Sequence, residues 1–184
     1  MGAWRTVDSR VAYENPWIRV REDRVIAPGG GPDLYGVVEL RHPAVLVVAI
    51  DESDRVLLVT LDRYTVGPSV EVVAGGSDGQ DPLAAAQREL AEEAGLVAEE
   101  WTELGEMDAL NGVVVAPEHV FLARGLHRTG TDAALSATQA EEAIAESRFV
   151  AFEDVLRMIS AGQLRDGETI AALALAGIHL GRFR

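Results

Sequence analysis

The sequence predicts an α+β fold, a mixed β-sheet covered by helices. Three observations carry that reading. Short strand-like segments recur along the first two thirds of the chain; helical spacing appears in only one central and two C-terminal stretches; and the two kinds do not alternate as a strict βαβ repeat requires. The 184 residues, 48% apolar and 25% charged, suffice for one ordinary domain with a small appended element.

Residues Trp4 to Leu40 alternate apolar and charged positions, with Trp17, Ile18, Val20, Val25 and Ile26 on the apolar side, and "GGGPD" (Gly29 to Asp33) punctuates them as a turn. Arg41–His42–Pro43 marks a boundary, so residues 1–42 are expected to form an N-terminal β-subdomain and residues 43–184 the main domain. "AVLVVAIDESDRVLLVTLDRY" predicts a hairpin of two buried strands around "DESD", and "SVEVVAGG" (Ser69 to Gly76) a strand running into a glycine pair. Further strand cores fall at Val113 to Val115, Val120 to Leu122 and Phe149 to Phe152. "FEDVLRMISAG" and "DGETIAALALAGIHL" are helical, the second starting at Asp166 or Thr169 and apolar at Ile170, Leu173, Ala174, Gly177 and Ile178.

Charge and composition narrow the function classes. A net charge of −14, from 16 basic and 30 acidic side chains, argues against a surface that tracks a nucleic-acid backbone. A phosphate ligand is compatible only if cations are recruited first. The lack of cysteine excludes disulfides, thiolate chemistry and Cys-ligated zinc. "MGAWRTVDSRVAYENPW" has no apolar core of a secretory signal, and the longest apolar run, Ala44 to Ile50, is too short to span a bilayer. The expectation is a cytoplasmic protein without a membrane partner.

The central helix is the informative element. Asp81 suits an N-cap, Pro82 the first helical position and Gly95 the left-handed residue past the end, which gives a helix from about Pro82 to Ala94. Leu83, Leu90 and Ala94, with Ala86 nearby, form the expected core face; Arg88, Glu89, Glu92 and Glu93 fall on the opposite arc. Like charges one turn apart cost roughly 0.2–0.5 kcal/mol per pair, and these also sit at the negative end of the helix dipole. Two readings stay open on geometry alone: a solvated acidic face relieved by Arg88, or carboxylates converging on a hard divalent cation such as Mg²⁺ or Mn²⁺.

"RELAEEAGL" (Arg88 to Leu96) resembles the end of the Nudix box, G-x5-E-x7-REUxEExGU, and fills all seven specified positions of REUxEExGU. "RYTVGPSVEVVAGG", "ENPWIRVRED" and "DGETIAALALA" resemble the ADP-ribose pyrophosphatase branch of that family, so the likeness covers most of the chain. It departs in two places: Gln80 stands where the box has its first glutamate, and the loop from Gly75 to Gln80 is one residue short.

The resemblance implies a Nudix α/β/α sandwich with mixed β-sheet plus a small N-terminal antiparallel β-subdomain that mediates a homodimer. It implies Glu89 and Glu93 as principal metal ligands, Glu92 as a further ligand or base, and the Ala74 carbonyl completing the cage. Gly75 and Gly76 would let the loop approach metal and diphosphate closely, and Arg88 would hold a glutamate by an ion pair. A further carboxylate is expected from "QAEEAIAES", Glu142 first, with Glu141 and Glu146 behind it. Arg63 and Glu71 match polar positions near substrate, and Glu118 a substrate-side acidic position at imperfect spacing. Trp17 has two readings: stacking on a nucleobase across the dimer, or packing within core or dimer. The four histidines (His42, His119, His127, His179) show no metal spacing and read as structural, and no Ser-His-Asp arrangement is detectable. The expected reaction is Mg²⁺-dependent hydrolysis of a nucleoside diphosphate derivative, ADP-ribose to AMP and ribose 5-phosphate. The rival is a Nudix-fold module that senses a nucleotide without cleaving it, an idea fed by Gln80.

Overall fold

The computed structural model describes residues 3–141 and 143–183. The alternating N-terminal segment forms β1 (Arg5–Glu14), β2 (Ile18–Ile26) and β3 (Pro32–Leu40), an antiparallel meander. Its charged positions answer one another across strands: Arg24 meets Asp8 at 2.7 Å and Arg10 meets Glu22 at 2.7 Å. Trp4, Val7, Val11, Tyr13 and Leu34 stay exposed. The compact unit built on this sheet runs to Pro43 and takes in Asp108–Pro117, whose short β9 (Val114–Val115) adds to β3 in parallel.

The larger unit holds two sheets. In one, β4 (Ala44–Ala49) lies between β7 (Val73–Gly76), antiparallel, and β10 (Pro117–Arg128), parallel, with β8 (Leu96–Asp108) beyond β10. In the other, β5 (Arg55–Arg63) lies between β11 (Ile144–Ala151) and β6 (Gly67–Glu71), both antiparallel. The hairpin expected around "DESD" is therefore a correction. β4 and β5 share only the bridge Ile50↔Val56 and then part into different sheets. The turn forms as read, with Asp51 accepting from the Ser53 and Arg55 amides at 3.0 and 2.9 Å. What separates the strands is that both faces of each must be covered.

Alternation shows this directly. Val45, Val47 and Ala49 join one core with Leu57, Val59 and Leu61; Leu46, Val48 and Ile50 join another with Val56 and Leu58. The first core is closed by α1 (Pro82–Ala94), the second by α3 (Phe152–Ser160) and α4 (Gly167–His179). Strands buried on both faces read as continuous apolar runs, which is why "AVLVVAI" lacks a period of two. This is the α+β sandwich expected, with one element more: Asp132–Glu141, assigned no element from the sequence, is a helix, α2. Among the described residues no helix is long and apolar enough to cross a membrane.

In α1 the caps are as read. Asp81 accepts from the Leu83 and Ala84 amides, and Gly95 is left-handed at φ 63°. The faces need correction. Glu89 and Glu93 are not opposite the core: they are 7% and 4% exposed and continue the stripe begun by Ala85, one and two turns on. Leu83, at 36% exposed, is instead the outlier of the apolar set and lines a cavity of about 400 Å³ with Trp101, Phe121 and His119.

Candidate active site

The box helix packs Glu89 against strand β7 at Gly75. A Cβ on Gly75 would lie 2.2 Å from the Glu89 carboxyl carbon, so that carboxyl rests directly on the β7 backbone. Gly75 is held there by pairing with Val45, and Ala74 by pairing with Leu46. One turn further along α1, Glu93 is buried and its charge is felt by Arg63.

Arg88 ties the helix to the same strand. Its Nη1 lies 2.8 Å from Glu89 Oε1 and 2.8 Å from Glu92 Oε2, while Nη2 donates to the Gly76 carbonyl at 2.8 Å. Its Nε donates to Gln80 Oε1 at 3.2 Å, so the amide that replaces the box's first glutamate keeps an acceptor where a carboxylate would offer one. Burial works against the Arg88 charge, but the bonds to Glu92 and Glu89 outweigh it and raise its pKa.

Arg63 and Glu71 form a two-pronged pair, Nη2 to Oε2 at 2.6 Å and Nε to Oε1 at 3.2 Å. The pair raises the Arg63 pKa, with the charges of Glu71, Glu93 and Asp166 adding to it against burial. Glu71 is placed by its neighbour: the Val72 amide donates to the buried Thr169 hydroxyl at 3.1 Å, which pins the start of α4 to the strand entering the box. Asp166 is the N-cap of that helix, accepting from the Thr169 amide. Sequence reasoning missed this role of Thr169, since nothing in a capping motif indicates a second, distant partner.

The distal acids divide. Glu142 lies outside the described residues. Glu141 is exposed at the end of α2, which packs against α1; Gln139 Nε2 donates to the Glu93 carbonyl at 2.8 Å, and Leu135 fills the space beside Gly95. Glu146 is on β11, 3.5 Å from Arg148. Trp17 is 73% exposed on the N-terminal unit. Glu118 is buried. His119 Nδ1 lies 3.2 Å from Glu103 and 3.8 Å from Glu106.

Two family models match the chain. One, a nucleoside diphosphate sugar hydrolase N-terminal domain, covers residues 4–38; the other, the NUDIX domain, covers residues 40–173. The chain belongs to the Nudix family. An ADP-ribose pyrophosphatase of Mycobacterium tuberculosis is 33% identical over 178 residues, covering 95% of this chain and 81% of that protein. A methanol dehydrogenase activator of Bacillus methanolicus is 27% identical over 92% of this chain and 90% of its own. The fold is that of a crystal structure of an ADP compounds hydrolase, at a TM-score of 0.82 and 17% identity over 97% of this chain and 94% of that one. Nudix hydrolysis of a pyrophosphate bond, with a divalent metal, is the activity these relationships support.

The donor set fits such a metal. Glu89 and Glu93 are buried carboxylates one turn apart, the first resting on the backbone at Gly75 and paired with Arg88, and carboxylate and carbonyl oxygens are the donor type a hard divalent cation takes.

Proposed function

We propose that this Nudix hydrolase cleaves ADP-ribose to AMP and ribose 5-phosphate with Mg²⁺, Mn²⁺ substituting, as a cytoplasmic homodimer. The observation that carries the site is the packing of Glu89 against Gly75 with Glu93 buried one turn on. The substrate is supported by the ADP-ribose pyrophosphatase relative at 33% identity.

In this reading Glu89 and Glu93 hold the metal, with Glu92 and the Ala74 carbonyl beside them. The bound cations supply charge neutralisation for a diphosphate and a lowered pKa for water. Each protein group has its own task. Gly75 and Gly76 keep the approach to the phosphates clear. Arg88 fixes Glu89 and Glu92 to β7, so they meet the cation without reorganising. Arg63, braced by Glu71, offers its guanidinium to the diphosphate. A carboxylate within reach of the attacking water takes its proton; Glu92 on α1 and Glu142 beyond α2 are the residues proposed for that step. Trp17, exposed on the N-terminal unit, is proposed to contact the nucleobase across the dimer.

The dimer is supported by the apolar side chains left open on the N-terminal sheet, Trp4, Val7, Val11 and Tyr13, since exposed apolar groups gathered on one strand and its neighbours mark an interaction face. Incubation with ADP-ribose and Mg²⁺ tests the reaction. AMP and ribose 5-phosphate in equal amounts support it; tight binding without turnover across a panel of nucleoside diphosphate derivatives would establish the sensor instead.

A further inference from the structure

The two halves of the site stand on different sheets. Glu89 rests on β7, in the sheet β7-β4-β10-β8, while Arg63 closes β5, in the sheet β11-β5-β6. The bridge Ile50↔Val56 joins the sheets near the start of β5, at the end remote from Arg63. At the Arg63 end the link is α2. Gln139 Nε2 donates to the Glu93 carbonyl at 2.8 Å, across 46 positions of chain. Leu135, one turn earlier on α2, packs on Gly95, where an added Cβ would lie 2.9 Å from its Cδ2. Beyond α2 the chain turns at Ala143, left-handed at φ 56°, and the Ala143 carbonyl accepts from the Asp62 amide, next to Arg63, at 3.2 Å. From there β11 pairs with β5, starting at Ile144↔Leu61.

The bond to Glu93 is made where the helix needs one. Glu93 lies in the last turn of α1, whose carbonyls have no partner inside the helix, and that turn carries no basic residue. The Gly95 amide serves Ala91 and Leu90, and the Thr129 amide serves Gly95. Gln139 serves Glu93. A carboxamide N–H is a neutral donor, so it satisfies the carbonyl without adding a cation beside the metal-binding glutamates. Water would satisfy the carbonyl as well, but water would not tie α1 to α2.

We propose that Gln139 is a positioning residue: by fastening the last turn of the box helix to α2, it keeps Glu93 in register with Arg63, so that a cation on the glutamates and the guanidinium grip one diphosphate together. The inference rests on the roles of Glu93 and Arg63 proposed above. Its physical basis is the steep dependence of such a grip on distance, since a displacement of about 1 Å can cost on the order of 100-fold.

The test measures coupling in the full chain. Isothermal titration gives the affinity for Mn²⁺ alone, for the α,β-methylene analogue of ADP-ribose alone, and for each with the other present. In wild type, Mn²⁺ should tighten the analogue. Q139M, of similar length without a donor, should lose about tenfold of that coupling, within the range seen for outer-shell partners of metal sites, while binding Mn²⁺ alone as wild type does. Q139E sets a carboxylate against the carbonyl and should lose at least as much. Q139K returns a donor, favourable at the negative end of a helix, and should keep most of the coupling. If Q139M does not fold, the contrast of Q139E with Q139K decides. A lower melting temperature in Q139M with the coupling intact would reduce Gln139 to a helix cap and overturn the inference, as would equal losses in Q139K and Q139E. The expected pattern without cleavage of ADP-ribose itself would leave the inference standing and remove the hydrolase reading.

Discussion

Glu89 rests on the chain at Gly75, and the smallest possible substitution probes that contact. Gly75→Ala would place a methyl 2.2 Å from the Glu89 carboxyl carbon, so the carboxyl must move. We expect divalent-metal affinity and turnover to drop by about 100-fold or more, since even outer-shell partners of a metal site contribute 10–100-fold, with far-UV circular dichroism unchanged. Isothermal titration with Mn²⁺ and steady-state kinetics check both. Glu118 gives a stability prediction of defined sign. Its folded pKa, pushed up to about 8 from an ordinary 4.5 by burial first and then by the charge of Glu168, means the native chain binds more protons than the unfolded one between those values. Stability is therefore lost as pH rises through that window, and E118Q should raise the melting temperature more at alkaline than at acidic pH in thermal scans. These residues also differ in legibility. Glu89, Glu92 and Glu93 stand in one short string that the resemblance to the Nudix box singles out, whereas Glu118 and Glu168 are 50 positions apart. Only the register of β10 beside β4 and the docking of α4 bring them together.

At the level of elements, local chemistry set what could be read. Asp81, Pro82 and Gly95 delimit α1 because each satisfies a backbone requirement of its own position. Asp81→Ala leaves the Leu83 and Ala84 amides without their acceptor and is expected to cost about 1 kcal/mol in urea unfolding. A loss of activity beyond that destabilisation would show that the cap also positions the loop ahead of it. β4 and β5 were legible as strands but not as partners. A polar turn between two apolar runs looks the same whether the runs pair with each other or with β10 and β11. The choice is made by burial on both faces, which is a property of the assembled layers. α2 escaped notice for a different reason: its ten residues are alanine-rich, without a strong apolar stripe, and its hold on α1 comes from Leu135 and Gln139 against Gly95 and Glu93.

For the whole molecule, a net charge of −14 and an anionic diphosphate are compatible where a divalent cation stands between them. The N-terminal sheet adds a second expectation at this scale. β1 is exposed along its length and carries Val7, Val11 and Tyr13. Light scattering of the purified chain should give the mass of two copies, and Val11→Glu should shift it toward one while the larger unit keeps its helical signal. A monomer at all working concentrations would remove the dimer and, with it, the role proposed for Trp17 across the interface. The measurement closest to the centre of the account is Mn²⁺ binding followed by electron paramagnetic resonance, in wild type and in Glu93→Gln, with and without ADP-ribose. Wild type should capture the ion and hold it more tightly with the nucleotide present, and Glu93→Gln should lose most of both effects while remaining folded. Equal Mn²⁺ affinity in the two proteins would contradict the assignment of this helix as the metal site.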